Sequence, residues 1–209
     1  MKKDGIIRFE TAEDYREAEN LTREAFWNVY RPGCLEHYVL HSFRGRPDFV
    51  PELDFVLERD GKLIGHVMYA RSEIRTDGGG TVSSMTFGPI SIAPSEQHKG
   101  YGTALLRHSM EVAGRLGAGA LAITGNIHFY GKSGFVVAGT KGIHYYHSLY
   151  SGDAAPQSAY CRHTFHIVQQ CRQGSDKGLV LFCRSIGRVL NRPPLQIFWL
   201  GAAPPAGGR

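Results

Sequence analysis

The sequence predicts an α/β fold (α+β, built on one central mixed β-sheet), and three observations carry that prediction. Apolar residues switch repeatedly between helical spacing and short strand-like runs. Strand signals form a meander mid-chain, near 55–57, 63–74 and 82–93. A later helix signal is followed by residues 120–124, small and wholly apolar as a buried parallel strand is. The resulting order is β-α-α-β-β-β-α-β-α-β-β, helices layered on a sheet.

Each element has its own signal. Ile6, Ile7 and Phe9 open a short strand. Thr11-Ala-Glu-Asp14 resembles a capping box, with Asp14 where Glu or Gln usually stands. Tyr15, Ala18, Leu21, Ala25 and Phe26 then predict a helix over 11–26. Pro32-Gly33 breaks the chain, and 35–43 reads as a second, short helix ended before Gly45 and Pro47. Phe55-Val-Leu57 and Leu63-Ile64 flank Asp60-Gly61, a hairpin pair suited to two positive φ values. That second strand runs on through Val67 and Tyr69 to Ile74, and Asp77-Gly-Gly-Gly80 turns into the strand over 82–93. Gly88-Pro89 interrupts it; Pro cannot donate a ladder hydrogen bond, so the strand must bulge or splay there. A helix over 101–117 follows, with Leu105, Val112 and Leu116 on one side, Leu106 and Ala113 beside them, and Gly117 and Gly119 at its end. A short helical or loop segment over 126–133 and strands at 135–137 and 143–146 complete the pattern.

Composition bounds what this fold serves. Of 209 residues, 42% are hydrophobic and 21% charged, which argues against wholesale disorder. No apolar run approaches the roughly 18–20 residues that span a bilayer. Met1-Lys2-Lys3-Asp4-Gly5 leads into a charged segment, which argues against a secretory signal. Four Cys are too few for a disulfide scaffold, so a reduced, cytoplasmic setting and no membrane partner are expected. The net charge of +5 is uneven: residues 1–150 hold 17 basic and 17 acidic residues, residues 151–209 hold 7 and 2. A working domain over 5–150 is therefore expected, followed by an atypical basic C-terminal tail over 151–209, partly disordered or irregular. The change is abrupt near Pro156-Gln157, as a shifted reading frame relative to related proteins would make it. Five excess charges with no recognition element predict only weak, salt-sensitive contact with nucleic acid.

The chemistry concentrates in one segment, Gln97-His98-Lys99-Gly100-Tyr101-Gly102-Thr103, a loop between a strand and a helix start. N–H groups at a helix N-terminus lack intrahelical partners, and the helix dipole favours an anion there. Gly100 and Gly102 allow close backbone approach, and His98 and Lys99 add donors. The Walker pattern is absent, and the dinucleotide pattern lacks its third glycine and its later acidic residue. Alone, the loop could be a plain capping turn. A second element weakens that reading: Tyr130, then Gly134-Phe135, follows the next strand.

Gln97-x-x-Gly100-x-Gly102 followed by Tyr130-x-x-x-Gly134-Phe135 resembles the GNAT superfamily of acetyl-CoA-dependent N-acetyltransferases, in a bacterial subgroup whose acceptor cannot be carried across. The likeness covers about residues 5–150 and includes the element order, so it implies a GNAT-like fold. It implies acetyl transfer from acetyl-CoA to a primary amine of a small molecule or peptide, with no covalent enzyme intermediate. Ile90, Ser91 and Ile92 would pair with the pantetheine amides as an added strand would, and residues 97–103 would hold the pyrophosphate. The Ile90 N–H would hold the thioester oxygen. Tyr130 would deliver a proton to the departing thiolate; the competing reading is a core aromatic beside Phe129. Many members carry an Asn seven residues before the tyrosine. This chain has Ile123 there, and Asn126 is not given that role.

Other roles stay open. Glu73, His66 and His128 are candidate bases for a protonated amine. Phe26, Trp27 and Tyr30 would line the acceptor pocket or staple a helix end. Cys161-x-His163-x-x-His166-x4-Cys171 matches no common zinc spacing, and no metal is expected. His144 and His147 fall on opposite faces of a strand. Oligomeric state is not readable, and a homodimer is compatible. The rival functions are an acyl-CoA sensor without turnover and weak nucleic-acid binding through the tail.

Overall fold

The computed structural model describes residues 5–76, 81–141, 143–145, 177–183 and 195–198. β1 (Ile6–Phe9) leads to α1 (Tyr15–Phe26) and α2 (Glu36–Phe43), then to the meander β2 (Phe55–Arg59), β3 (Lys62–Thr76) and β4 (Thr81–Ile92). α3 (Tyr101–Arg115), β5 (Ala120–Asn126), α4 (Ile127–Tyr130), β6 (Val136–Val137) and β7 (Ile143–Tyr145) follow in the expected order. Two further strands, β8 (Lys177–Cys183) and β9 (Leu195–Phe198), come from the stretch beyond residue 150. The sheet runs β1-β2-β3-β4-β5-β8-β6, with β9 along the far part of β3 and β7 beside β9. β1 to β4 are antiparallel and β4–β5 is parallel, so the sheet is mixed. Among the described residues no helix is long and apolar enough to cross a membrane.

Local chemistry explains the joints. Asp60 and Gly61 both take positive φ, 52° and 72°, which turns β2 into β3 with the twist the strands require. Only half of the capping box forms. The Asp14 carboxylate accepts from the Thr11 N–H at 2.8 Å, but the Thr11 hydroxyl also donates to it at 2.9 Å instead of capping a backbone N–H. Arg8 holds the same carboxylate through two nitrogens, and α1 starts at Tyr15 rather than at 11. α3 buries the ridge Tyr101, Leu105, Ser109 and Ala113, with Leu106 beside it. Leu116, expected on the buried stripe, is exposed instead. The helix ends at Arg115, where Gly117 and Ala118 donate back to Gly114 and Ala113.

Strand alternation sorts the core into two layers. Val67 and Tyr69 of β3 face α3 with Phe55, Phe87 and Leu105. Met68 and Ala70 face α1 and α2 with Ala18, Leu21 and Leu40. The interruption at Gly88-Pro89 is a bulge. Val67 lies opposite Ile90 and Tyr69 opposite Phe87, so two residues of β4 face Met68 alone. Beyond it the sheet opens: β4 pairs with β5 only at Met85–Leu121 and Thr86–Ala122.

Candidate active site

The opening between β4 and β5 leaves one edge of β4 without a ladder partner among the described residues. The Ala93 N–H donates to the Ile64 carbonyl at 2.9 Å, and Ser91 lies opposite His66. Antiparallel alternation then directs the N–H groups of Ile90 and Ile92 away from β3, into the opening. Gln97 closes the end of this edge, its side-chain amide donating to the Ile92 carbonyl at 3.1 Å. The Ser91 side chain points the other way, buried and bonded to Thr22 of α1 at 2.8 Å.

The loop 97–100 delivers the α3 N-terminus to the same opening. His98 and Gly100 take positive φ, 59° and 82°, and Gly100 is the residue before the helix. The first intrahelical bond there runs from the Ala104 N–H to the Gly100 carbonyl at 3.1 Å, so the helix start turns its first backbone N–H groups out of the helical ladder. A methyl on Gly102 would touch Ile92 at 3.5 Å and Phe129 at 3.6 Å, which puts the helix start against both the β4 edge and α4. Glu96 braces the loop, taking Arg59 at 2.7 Å and Lys99 at 3.3 Å. The Tyr101 side chain is buried in the core, its hydroxyl accepting from Arg59 at 2.9 Å, so only its backbone faces the opening.

Tyr130 sits behind the opening, 8% exposed, edge-on to Phe87 and Phe129 and beside Phe135. Gly125 of β5 makes room for it, since a Cβ there would lie 2.2 Å from the Tyr130 ring. Burial, with the Tyr69 phenol adding to it, pushes the Tyr130 hydroxyl well above the ordinary tyrosine range. That hydroxyl has no hydrogen-bond partner among the described residues.

Residues 11–135 match the acetyltransferase (GNAT) family model. The chain belongs to the GNAT acetyltransferase family. It is therefore an acyltransferase. A GNAT family acetyltransferase from Brucella melitensis, solved with acetyl-CoA, is 25% identical; the match covers 63% of this chain and 82% of that one with a TM-score of 0.55. A GNAT N-acetyltransferase (YhbS) from Escherichia coli, solved with CoA, is 16% identical and shares the fold over 93% of this chain and 88% of that one, with a TM-score of 0.67. A search of curated proteins finds no match.

Among the three candidate bases of this acetyltransferase, none lines the opening with a free, buried side chain. His128 is exposed at the start of α4, and its N–H donates to Asn126, whose side chain thus caps that helix. Glu73 lies half-buried on β3 opposite Ser83, in the part of the strand furthest from Ile90. His66 is wholly buried on the opposite face, where sequence reasoning missed its surroundings. Its Nε2 lies 2.9 Å from Asp54 and 3.4 Å from Glu10, and Arg44 holds Glu10 through two hydrogen bonds of 2.9 and 2.8 Å. Burial opposes charge on His66, but Asp54 and Glu10 outweigh it and raise its pKa. Burial raises Asp54 to about 6 against the pull of His66. Burial also acts on Glu10, but hydrogen bonds from His66, Asp54 and Arg44 bring it down to about 2. These three residues could offer a cation one ligand atom each. Arg44 already supplies the positive charge that their carboxylates need.

Phe26 stacks obliquely on Tyr30 at 5.8 Å, while Trp27 and Tyr30 stay largely exposed, so the 26–30 segment is no buried staple. The Cys161, His163, His166 and Cys171 set, the turn at 77–80, His147 and the tail beyond 198 lie outside the described residues, as do the side chains of His144 and Tyr145.

Proposed function

We propose that this chain transfers the acetyl group of acetyl-CoA directly to a primary amine of a small molecule or peptide. The observation that carries the reading is the parting of β4 and β5 after Thr86–Ala122, with an α-helix N-terminus at one end of the gap and Tyr130 behind it. The residues fit the co-substrate: an open strand edge suits the pantetheine amides, and a glycine-bearing helix N-terminus suits a pyrophosphate.

Acetyl-CoA supplies the activated acyl group. Ile90 and Ile92 offer N–H groups to an extended, amide-bearing chain, and Gln97 fixes the end of that edge. The Ile90 N–H, adjoining the bulge, donates to the thioester oxygen as negative charge gathers on it. Residues 98–103 bind the phosphates, Gly100 and Gly102 by close backbone approach and Lys99 by charge. The neutral amine's lone pair forms the C–N bond as the C–S bond breaks, Tyr130 donates its proton to the departing sulfur, and the surplus proton on nitrogen leaves to solvent, from which the Tyr130 oxygen is reprotonated. The apolar setting of Tyr130 keeps it protonated until then. The Ser91 side chain ties its strand to α1 and takes no part.

The test is direct. Calorimetry should show CoA binding, and thiol release with a panel of amines should show turnover that Tyr130→Phe depresses. Binding of CoA without transfer to any amine would favour a sensor and overturn the reading.

A further inference from the structure

The loop 97–100 is held in an uncommon shape, and a side chain from elsewhere in the fold holds it. His98 is not a glycine, yet its φ is 59°, and Gly100 follows at 82°. A left-handed backbone is disfavoured at a residue with a Cβ and persists where the surroundings fix it. The residues that flank the loop, Glu96 and Tyr101, supply the fixture. One guanidinium nitrogen, Arg59 Nη1, donates to the Glu96 carboxylate at 2.7 Å and to the Tyr101 hydroxyl at 2.9 Å. The neck of the loop is thus closed from both sides by one side chain, whose guanidinium also lies 5.8 Å from the Tyr101 ring centre.

The β2–β3 hairpin puts Arg59 there. Arg59 ends β2 opposite Lys62, just before the Asp60-Gly61 turn. The start of β3 runs beside the end of β4, with Gly65 opposite Ile92 and the Ala93 N–H bonded to Ile64. The hairpin tip therefore stands next to the short turn Pro94–Glu96 from which the loop springs. Exposed Asp60 takes the guanidinium Nε at 3.2 Å.

The charges are shared unequally. Glu96 Oε2 lies 2.7 Å from Arg59 and 3.3 Å from Lys99 Nζ. Glu96 is buried, whereas the Lys99 side chain is half exposed. A buried carboxylate needs a cation, and an uncompensated one beside a diphosphate would repel it. With Arg59 carrying the nearer bond, the longer and wetter Lys99 contact can open without stranding Glu96. Without Arg59 that duty falls to Lys99.

We propose that Arg59 is a positioning residue for the diphosphate of acyl-CoA: it ties the neck of the loop and takes the charge of Glu96, which leaves Lys99 to turn to the phosphates. This rests on the reading that acyl-CoA lies in the β4–β5 opening. Arg59 itself touches no part of the co-substrate.

The test compares CoA with pantetheine, which has the same amides and thiol but no diphosphate. Calorimetry on the full chain gives the CoA Kd, and displacement of CoA gives that of pantetheine. Arg59→Met should weaken CoA about tenfold and pantetheine by less than about twofold. A merely destabilised fold would weaken both alike. Arg59→Lys should fall between wild type and Arg59→Met, because an ammonium cannot present the planar guanidinium edge. Adding Glu96→Gln to Arg59→Met should recover part of the CoA affinity, because it releases Lys99. CoA affinity unchanged in Arg59→Met, equal weakening of both ligands, or no recovery in the double variant overturns the proposal. If the wild-type chain binds CoA but acetylates no amine, the acetyl-transfer reading fails and the Kd values still decide this one. If the wild-type chain binds no CoA, both fall.

Discussion

The two faces of the sheet bury polar groups in opposite ways. Under α1 and α2, Glu10, Asp54, His66 and Arg44 are drawn out of water and bonded to one another. On the α3 and α4 side the core is aromatic; there the Tyr69 hydroxyl and Ser109 bond one another at 2.8 Å, while the Tyr130 hydroxyl and the open β4 edge have no such partner among the described residues. The first set spends its capacity mostly on itself, His66 Nδ1 being the one buried atom of it left without a partner, and supports the fold. The second is left with bonds to give, which is what a substrate needs. Burial alone therefore does not mark a functional group.

The sharpest way to break this contrast is to cut the ionic set. Arg44→Met should lower unfolding stability by about 3–5 kcal/mol in urea titrations, because it strands Glu10 without its partner, and CoA affinity measured well below the transition should not change. A parallel loss of affinity would show that the two faces are not separate. Tyr130→Phe is the mirror experiment. It should reduce kcat about a hundredfold, some 2.7 kcal/mol, while stability and CoA binding hold, since the hydroxyl has no bond to lose.

Titration separates the faces next. His66 binds its proton more tightly in the folded chain, so the stability it contributes is full below the unfolded value near 6.5 and is lost as pH rises through the folded value. Asp54 acts with the same sign between 3.8 and about 6. Glu10 acts oppositely, losing its contribution as pH falls from 4.5 to about 2. His66→Gln should cost about 2 kcal/mol at pH 6 and flatten the decline above it, read from urea midpoints over a pH series. The smallest effect is expected at Gly102→Ala. Its new methyl makes ordinary contacts, so stability should hold or rise slightly, while the KM for acetyl-CoA should rise about tenfold as the methyl meets the phosphates.

Much of this was legible from local chemistry. Asp60-Gly61 permits two positive φ values and gave the hairpin; Gly88-Pro89 cannot continue a ladder and gave the bulge. Gln97, Gly100, Gly102 and Tyr130 stand out by their resemblance to the GNAT motifs, and the structure brings them to one opening. What escaped depends on residues distant in sequence. Nothing near His66 announces Glu10, which is supplied by the end of β1. The insertion of β8 between β5 and β6 joins residues more than forty positions apart, and the charge imbalance beyond residue 150 pointed away from any part in the sheet.

The hydroxyl pair Thr22–Ser91 has a mechanical meaning. It pins α1 to the back of the β4 edge to which we assign the acyl donor. On that assignment, the strand edge and the segment that follows α1 share one reference point. Reactions between two bound molecules are sensitive to errors of about an ångström. A single short contact, remote from the reacting atoms, thus acts as the dowel that keeps donor and acceptor in register.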